Sequence, residues 1–214
     1  MCKKNILYSF RRCPYAMRAR FALKYAGISC YIREIDLKNK AKDLIAASSK
    51  ATVPVLVLSD KTVFDESLEI IDWALKQNDP QKINQLSGHD EKQIEEIIQD
   101  NDLFFVKILH RYKYKDLYPD VDFEETKKNL CQYFSNLEEM LQKNNFLIGQ
   151  KMSRADIALF PFIRQAVMVD KEYFLQLGFE KLSTWLDCFL CHPLFEIIMK
   201  KYPVWSAEQE PIIF

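Results

Sequence analysis

An apolar, strand-like run, Ile6-Leu7-Tyr8, hands over across Ser9-Phe10-Arg11-Arg12 to Cys13-Pro14, after which Ala16, Ala19, Ala22, Leu23 and Ala26 recur with helical spacing. A strand followed at once by a helix that opens on proline commits the N-terminal part of the chain to a layered β/α arrangement. Proline is favoured at the first helical position, so Pro14 starts the helix. Cys13 then sits beside unpaired backbone N–H groups and the positive end of the helix dipole. Helix N-termini and nearby cations lower a cysteine pKa from about 8.5 into a range of roughly 3.5 to 7.5, and Arg11, Arg12 and Arg18 supply the cations. A thiol at about 6 is about nine-tenths ionised at neutral pH, although lower-pKa thiolates are weaker nucleophiles. An isolated cysteine reads more simply as a small buried hydrophobe; Pro14 and the arginines favour the reactive reading.

At 214 residues the chain forms one large domain or two small ones. Thirty basic residues balance thirty acidic ones, so neither nucleic acid nor an anionic membrane is an expected partner. The opening Met1-Cys2-Lys3-Lys4-Asn5 lacks the apolar run of a signal peptide, and the longest apolar run, Ile157 to Ile163, is far short of a membrane span. A cytoplasmic location is expected. Six cysteines (Cys2, Cys13, Cys30, Cys131, Cys188, Cys191) then read as reduced thiols. The four glycines are too far apart for a phosphate-cradling loop, and the three histidines are too dispersed for a zinc site or a Ser-His-Asp arrangement. No metal and no cofactor are expected.

Gly27 reads as the stop of the first helix, and residues 28–34 as a second strand. Residues 41–47 form a short helix, 53–58 an apolar strand, 62–64 its partner after a tight turn at 59–61, and 66–76 a helix with Leu68, Ile70, Ile71, Ala74 and Leu75 inward. The order is βαβαββα. Pro54 cannot donate to a ladder, so it belongs at the start of its strand, leaving the Val53 backbone groups free for a ligand. Residues 79–88 are rich in breakers and read as a linker between domains at 1–78 and 89–214; the second is helix-period throughout. A long helix spans 94–108, another 123–141, a third runs through 157–169, and two shorter ones cover 180–191 and 194–201, ahead of a tail with Trp205 and Phe214 as anchors. Ser153 and Asp156 have capping-box spacing, which makes Asp156 structural.

Cys13-Pro14-Tyr15-Ala16, Leu37-Lys38-Asn39-Lys40, Val53-Pro54-Val55-Leu56, Glu66-Ser67 and the Ser153-to-Asp156 box, in this order, resemble the glutathione transferases, most closely the omega-like branch with an active-site cysteine as seen in bacteria. The resemblance implies an α/β plus all-α architecture, a thioredoxin-like N-terminal domain followed by a helical bundle that forms the acceptor side. It implies that Cys13 reacts with the glutathione sulfur and that Val53, before cis-Pro54, pairs its backbone with the cysteinyl unit. Glu66 and Ser67 would hold the γ-glutamyl group, and Lys40 the glycyl carboxylate. Glutathione would be a co-substrate, the acceptor a small apolar molecule or a thiol adduct, and the protein a homodimer. Tyr8, Arg12 and Tyr15 are secondary candidates, Tyr8 as a donor to a glutathione thiolate. Ser48-Ser49-Lys50-Ala51-Thr52 departs from the family pattern, where Asn-Pro and a glycine are common.

Ala16 stands where a dithiol oxidoreductase has its second cysteine, so the expected chemistry is monothiol: thiol transfer or deglutathionylation through a mixed disulfide on Cys13, with conjugation to electrophiles alongside. The alternative is a non-catalytic interaction module of the same fold, resembling the bacterial stringent-starvation regulators. Cys188-Phe189-Leu190-Cys191-His192 matches a haem-attachment pattern but lies in an amphipathic helical stretch. His110-Arg111-Tyr112-Lys113-Tyr114-Lys115 interleaves basic and aromatic residues, and without net positive charge it reads as a solvated helix end rimming the acceptor pocket. Phe105 and Trp205 read as ordinary packing residues.

Overall fold

The computed structural model describes residues 4–84 and 87–214; Cys2 and two positions of the linker reading, 85 and 86, lie outside the described residues. The chain divides into two compact units, one running to Lys82 and taking in His192–Phe214, the other Ile83–Cys191. The first unit therefore includes a C-terminal segment that helical periodicity groups with the second.

In the first unit β1 (Ile6–Ser9), α1 (Pro14–Tyr25), β2 (Tyr31–Glu34), α2 (Lys42–Ala47), β3 (Val55–Val57), β4 (Val63–Phe64) and α3 (Ser67–Gln77) follow the expected βαβαββα order. β1 pairs in parallel with β2 and antiparallel with β3, which is antiparallel to β4. This is the thioredoxin-like arrangement. α1 ends in a Schellman motif: Gly27, at φ +70°, donates to the Lys24 carbonyl at 3.0 Å, and the Ile28 N–H reaches the Leu23 carbonyl at 2.9 Å. The tail is more than an anchor. Ile212–Ile213 forms β5, antiparallel to β2, giving the sheet order β4-β3-β1-β2-β5. The Trp205 N–H donates to the Glu34 carbonyl at 2.8 Å, Phe214 is buried, and Arg33 lies 3.9 Å from the Trp205 ring centroid. One helix of this segment, Pro193–Met199, is capped by His192, whose Nδ1 accepts from the Leu194 N–H at 3.1 Å. That bond uses the histidine of the haem-like pattern.

α1 carries two arginines through its apolar face, and both are buried. Arg20 donates to Ser9 Oγ at 2.5 Å and to the carbonyls of Phe10 (3.2 Å), Arg11 (2.7 Å) and Ile198 (2.9 Å). Burial pulls its pKa down to about 10, which leaves it charged at neutral pH.

In the second unit α4 (Gly88–Asp100), capped by Ser87, runs through a π-helical stretch, Asn101–Phe105, into α5 (Val106–Lys113). Hydrophobic periodicity predicts one long helix here and does not register the change of pitch. Phe105 is fully buried and stacks on Tyr133 at 4.1 Å. His110 shares a hydrogen with Tyr118 Oη at 2.8 Å, closing the basic-aromatic stretch on itself. Then follow α6 (Phe123–Lys143), capped by Asp122, α7 (Arg154–Val167), α8 (Lys171–Gln176) and α9 (Glu180–Leu190).

The capping box at the start of α7 forms, and Asp156 is fully buried. Its carboxylate accepts from the Ser153 N–H (2.8 Å), Ser153 Oγ (2.6 Å), the Leu147 N–H (3.0 Å) and Trp185 Nε1 (2.8 Å). One side chain thus ties the connector before α7, the N-terminus of α7 and α9. Asp156→Ala strands several buried donors at once and is expected to destabilise the protein by about 3 kcal/mol or more, read as a fall in denaturant midpoint. A loss under about 1 kcal/mol would contradict this account of the box.

Candidate active site

Cys13 takes extended backbone angles (φ −73°, ψ 123°) at the N-cap of α1, with Pro14 opening the helix. Its N–H donates to the Phe10 carbonyl at 3.0 Å, closing the turn between β1 and α1. Arg20 grips that turn through the Phe10 and Arg11 carbonyls. Next to it, Val53–Pro54 is a cis peptide placed just before β3. The Cys13 thiol donates to the Val53 carbonyl at 3.6 Å, and among the described residues the Val53 N–H has no hydrogen-bond partner.

These groups border a groove of about 550 Å³ within the first unit. Cys13 and Tyr15 from the start of α1, Lys40 from the loop after β2, Val53 and Pro54, and Asp65, Glu66 and Ser67 at the start of α3 all line it. The groove thus gathers every sequence-predicted residue except Tyr8 and Arg12. Tyr8 is a core residue, packed among Ala16, Ile35, Leu44, Val53 and Val55, and its hydroxyl accepts from Arg33 Nη1 at 2.7 Å. Burial pushes its pKa up. Arg12 is exposed, its guanidinium 5.6 Å from the Phe10 ring centroid.

Two expectations about charge need correction. The cations that act on Cys13 are Arg20 and Arg18 from inside α1; of Arg11, Arg12 and Arg18, to which the sequence points, Arg18 is the one that does so. The thiol is also pushed above, not below, its ordinary value. Burial against the Tyr8–Val53 cluster disfavours the thiolate more than the N–H groups of Ala16 and Tyr15 and the two arginines favour it. Spacing reveals the dipole but not the desolvation.

Ser67 is almost wholly buried, and its Oγ accepts from Arg18 Nε at 2.9 Å; the Arg18 guanidinium lies 5.0 Å from the Tyr15 ring centroid. Arg18 is a site residue that motif reading misses except as a nearby charge. Its signal was available: two arginines within an otherwise apolar helical run must find buried partners. At the groove's rim Ser48 Oγ donates to Asp65 Oδ2 at 2.7 Å, while Lys50 Nζ bonds Asp65 Oδ1 at 2.9 Å and Glu66 Oε1 at 2.5 Å. Those partners hold the Asp65 carboxyl below the usual range. Among the described residues no cluster of His, Cys, Asp and Glu is arranged to hold a metal, and no single helix is long and apolar enough to cross a membrane.

A sheet of this order, with a cysteine at its first helix start, a cis-proline beside it and an acid–serine pair lining the same groove, defines the thioredoxin-fold class of proteins. The chain matches the family model of the glutathione S-transferase N-terminal domain over residues 7–82 and that of the C-terminal domain over residues 102–193. It belongs to the glutathione S-transferase family. It is 25% identical over 189 residues to glutathione S-transferase omega-1 of Sus scrofa, covering 87% of this chain and 77% of that one. It is 30% identical over 166 residues to the omega-1 protein of Rattus norvegicus, covering 74% of this chain and 66% of that one. Among solved structures, a glutathione transferase family member from Pseudomonas fluorescens with two glutathione bound superimposes with a TM-score of 0.79 at 14% identity, covering 93% of each chain. A glutathione transferase of Phanerochaete chrysosporium with oxidized glutathione gives 0.79 at 18%, covering 92% and 93%. At these identities the structures show the fold alone.

Burial sets the expected behaviour of Cys13. Its alkylation by iodoacetamide, read by peptide mass spectrometry apart from the other free thiols, should keep gaining rate above the pH at which an ordinary cysteine thiol, with a pKa of about 8.5, is largely ionised. A rate that reaches its plateau below neutral pH would show that the helix N-terminus outweighs burial.

Proposed function

We propose that the chain is a cysteine-type glutathione transferase that carries out thiol transfer, removing glutathione from mixed disulfides through Cys13. The observation that carries this reading is the convergence of Cys13, Val53 and Pro54, Lys40, Glu66 and Ser67 on one groove of peptide size. Family membership and the omega-type relatives support glutathione as the ligand.

In this reading the groups recognise the tripeptide by complementary chemistry. The unpartnered Val53 N–H and its carbonyl pair with the cysteinyl unit as a short strand would. Glu66 takes the α-ammonium, the Ser67 hydroxyl with its Arg18 partner takes the α-carboxylate at the N-terminus of α3, and Lys40 takes the glycyl carboxylate. Cys13 Sγ attacks the glutathione sulfur of a bound adduct; the new S–S bond forms as the old one breaks, and the acceptor thiol leaves with the electron pair and takes up a proton. A second glutathione thiolate then attacks the Cys13 mixed disulfide, releasing oxidized glutathione and restoring the Cys13 thiolate.

The raised pKa fits a thiol that ionises as the ligand arrives. In the free protein the S–H has the Val53 carbonyl as acceptor. A ligand N–H that claims the same oxygen weakens that bond, while the Ala16 and Tyr15 N–H groups and the two arginines remain to hold a thiolate. Ala16 leaves no second thiol at the usual position, which supports a monothiol cycle. The reading includes a cytoplasmic location and a homodimer, supported by family membership, with a small apolar molecule or thiol adduct as acceptor.

Cys13→Ala is expected to lower turnover of a glutathione mixed disulfide by at least about a hundredfold while the protein still binds immobilised glutathione. Unchanged turnover overturns the role of Cys13. Wild-type protein that washes through immobilised glutathione overturns the enzyme and favours an interaction module of the same fold.

A further inference from the structure

The rim of the groove carries a cation that no recognition scheme above uses. Lys50 sits in the turn Ser48–Ala51, closed by the Ala51 N–H on the Ser48 carbonyl at 3.0 Å and carried through Ala51 at φ +49°, a left-handed conformation that alanine rarely adopts. Ser48 pins this turn to Asp65 at 2.7 Å, which aims Lys50 at the start of α3. There its ammonium bonds Asp65 at 2.9 Å and Glu66 at 2.5 Å. A primary ammonium on Glu66 has the charge and donors of the α-ammonium of a γ-glutamyl peptide.

We propose that Lys50 is a specificity-determining residue: its ammonium stands in for that of the ligand in the free protein, and an ammonium-bearing peptide must displace it from Glu66. The proposal rests on the reading of Glu66 and Ser67 as the γ-glutamyl subsite. Two features support it. Both partners are about half exposed, 47% for the Lys50 side chain and 58% for that of Glu66, so this pair is weak and the ammonium can leave Glu66 while Asp65 still holds it. Ser67 and Arg18 are buried and bonded to each other, so the carboxylate side of the subsite stays in place while the ammonium side exchanges. The consequence is a lowered preference. Lys50 holds down the advantage of glutathione over the same peptide without its amino group, because only the amino form has to evict it.

The test compares binding of glutathione and of glutaryl-cysteinylglycine, which lacks the α-ammonium, to wild type, Lys50→Met and Lys50→Arg by calorimetry at low salt. Lys50→Met should tighten glutathione by about two- to fivefold and leave the glutaryl peptide unchanged or weaker, while Lys50→Arg behaves as wild type. If Lys50→Met binds glutathione no more tightly, or tightens both peptides alike, the stand-in role is overturned and the glutathione reading is left intact. If neither wild type nor Lys50→Met binds glutathione at millimolar concentration, that reading falls and takes this one with it.

Discussion

The first unit depends on a positive charge sealed inside it. Arg20 is 1% exposed, and its four hydrogen bonds go to β1, to two carbonyls of the turn that leads to Cys13, and to the carbonyl of Ile198 in the C-terminal segment. A buried guanidinium is tolerated only when its donors are met, and leaving its partners without it costs about 3 to 5 kcal/mol. Each element around it is therefore held to a narrow position. Glu34 adds the counter-charge nearby: one carboxylate oxygen accepts from the Arg11 N–H at 2.7 Å, and burial raises its pKa. The same cation that fixes the turn also acts on the Cys13 sulfur, so architecture and electrostatics of the groove have one source.

Arg18 does for the far side of the groove what Arg20 does for the near side. It lies two residues earlier on α1 and reaches Ser67 on α3, so one helix supplies both supports. The groove is thus lined by loops and helix starts whose positions are set from behind by buried charge. The groove itself can then remain open.

Much of this was legible in the chain because it is local. Cys13-Pro14, Val53-Pro54 and Ser153 with Asp156 are short-range patterns, and each specifies its own backbone. What escaped reading is non-local. β5 has only two residues, and its existence depends on an edge of β2 well over a hundred residues away in sequence. The acceptors of Arg20 are mostly main-chain carbonyls, which no side-chain motif records. The pKa of Cys13 moved in the unexpected direction because desolvation is a property of packing, whereas the dipole and neighbouring arginines are properties of sequence. Lys50 is visible in the sequence only as part of the stretch at 48–52 that departs from the family pattern; that it meets Glu66 depends on a turn that faces α3.

β5 also closes a side of the sheet that would otherwise be open. An unpaired row of β2 amides and carbonyls is a template on which foreign strands can assemble, and residues Ile212–Ile213, with Val204 bridged to Glu34, cover it. A chain cut before Val204 would therefore display a sticky border that residues 204–213 hide.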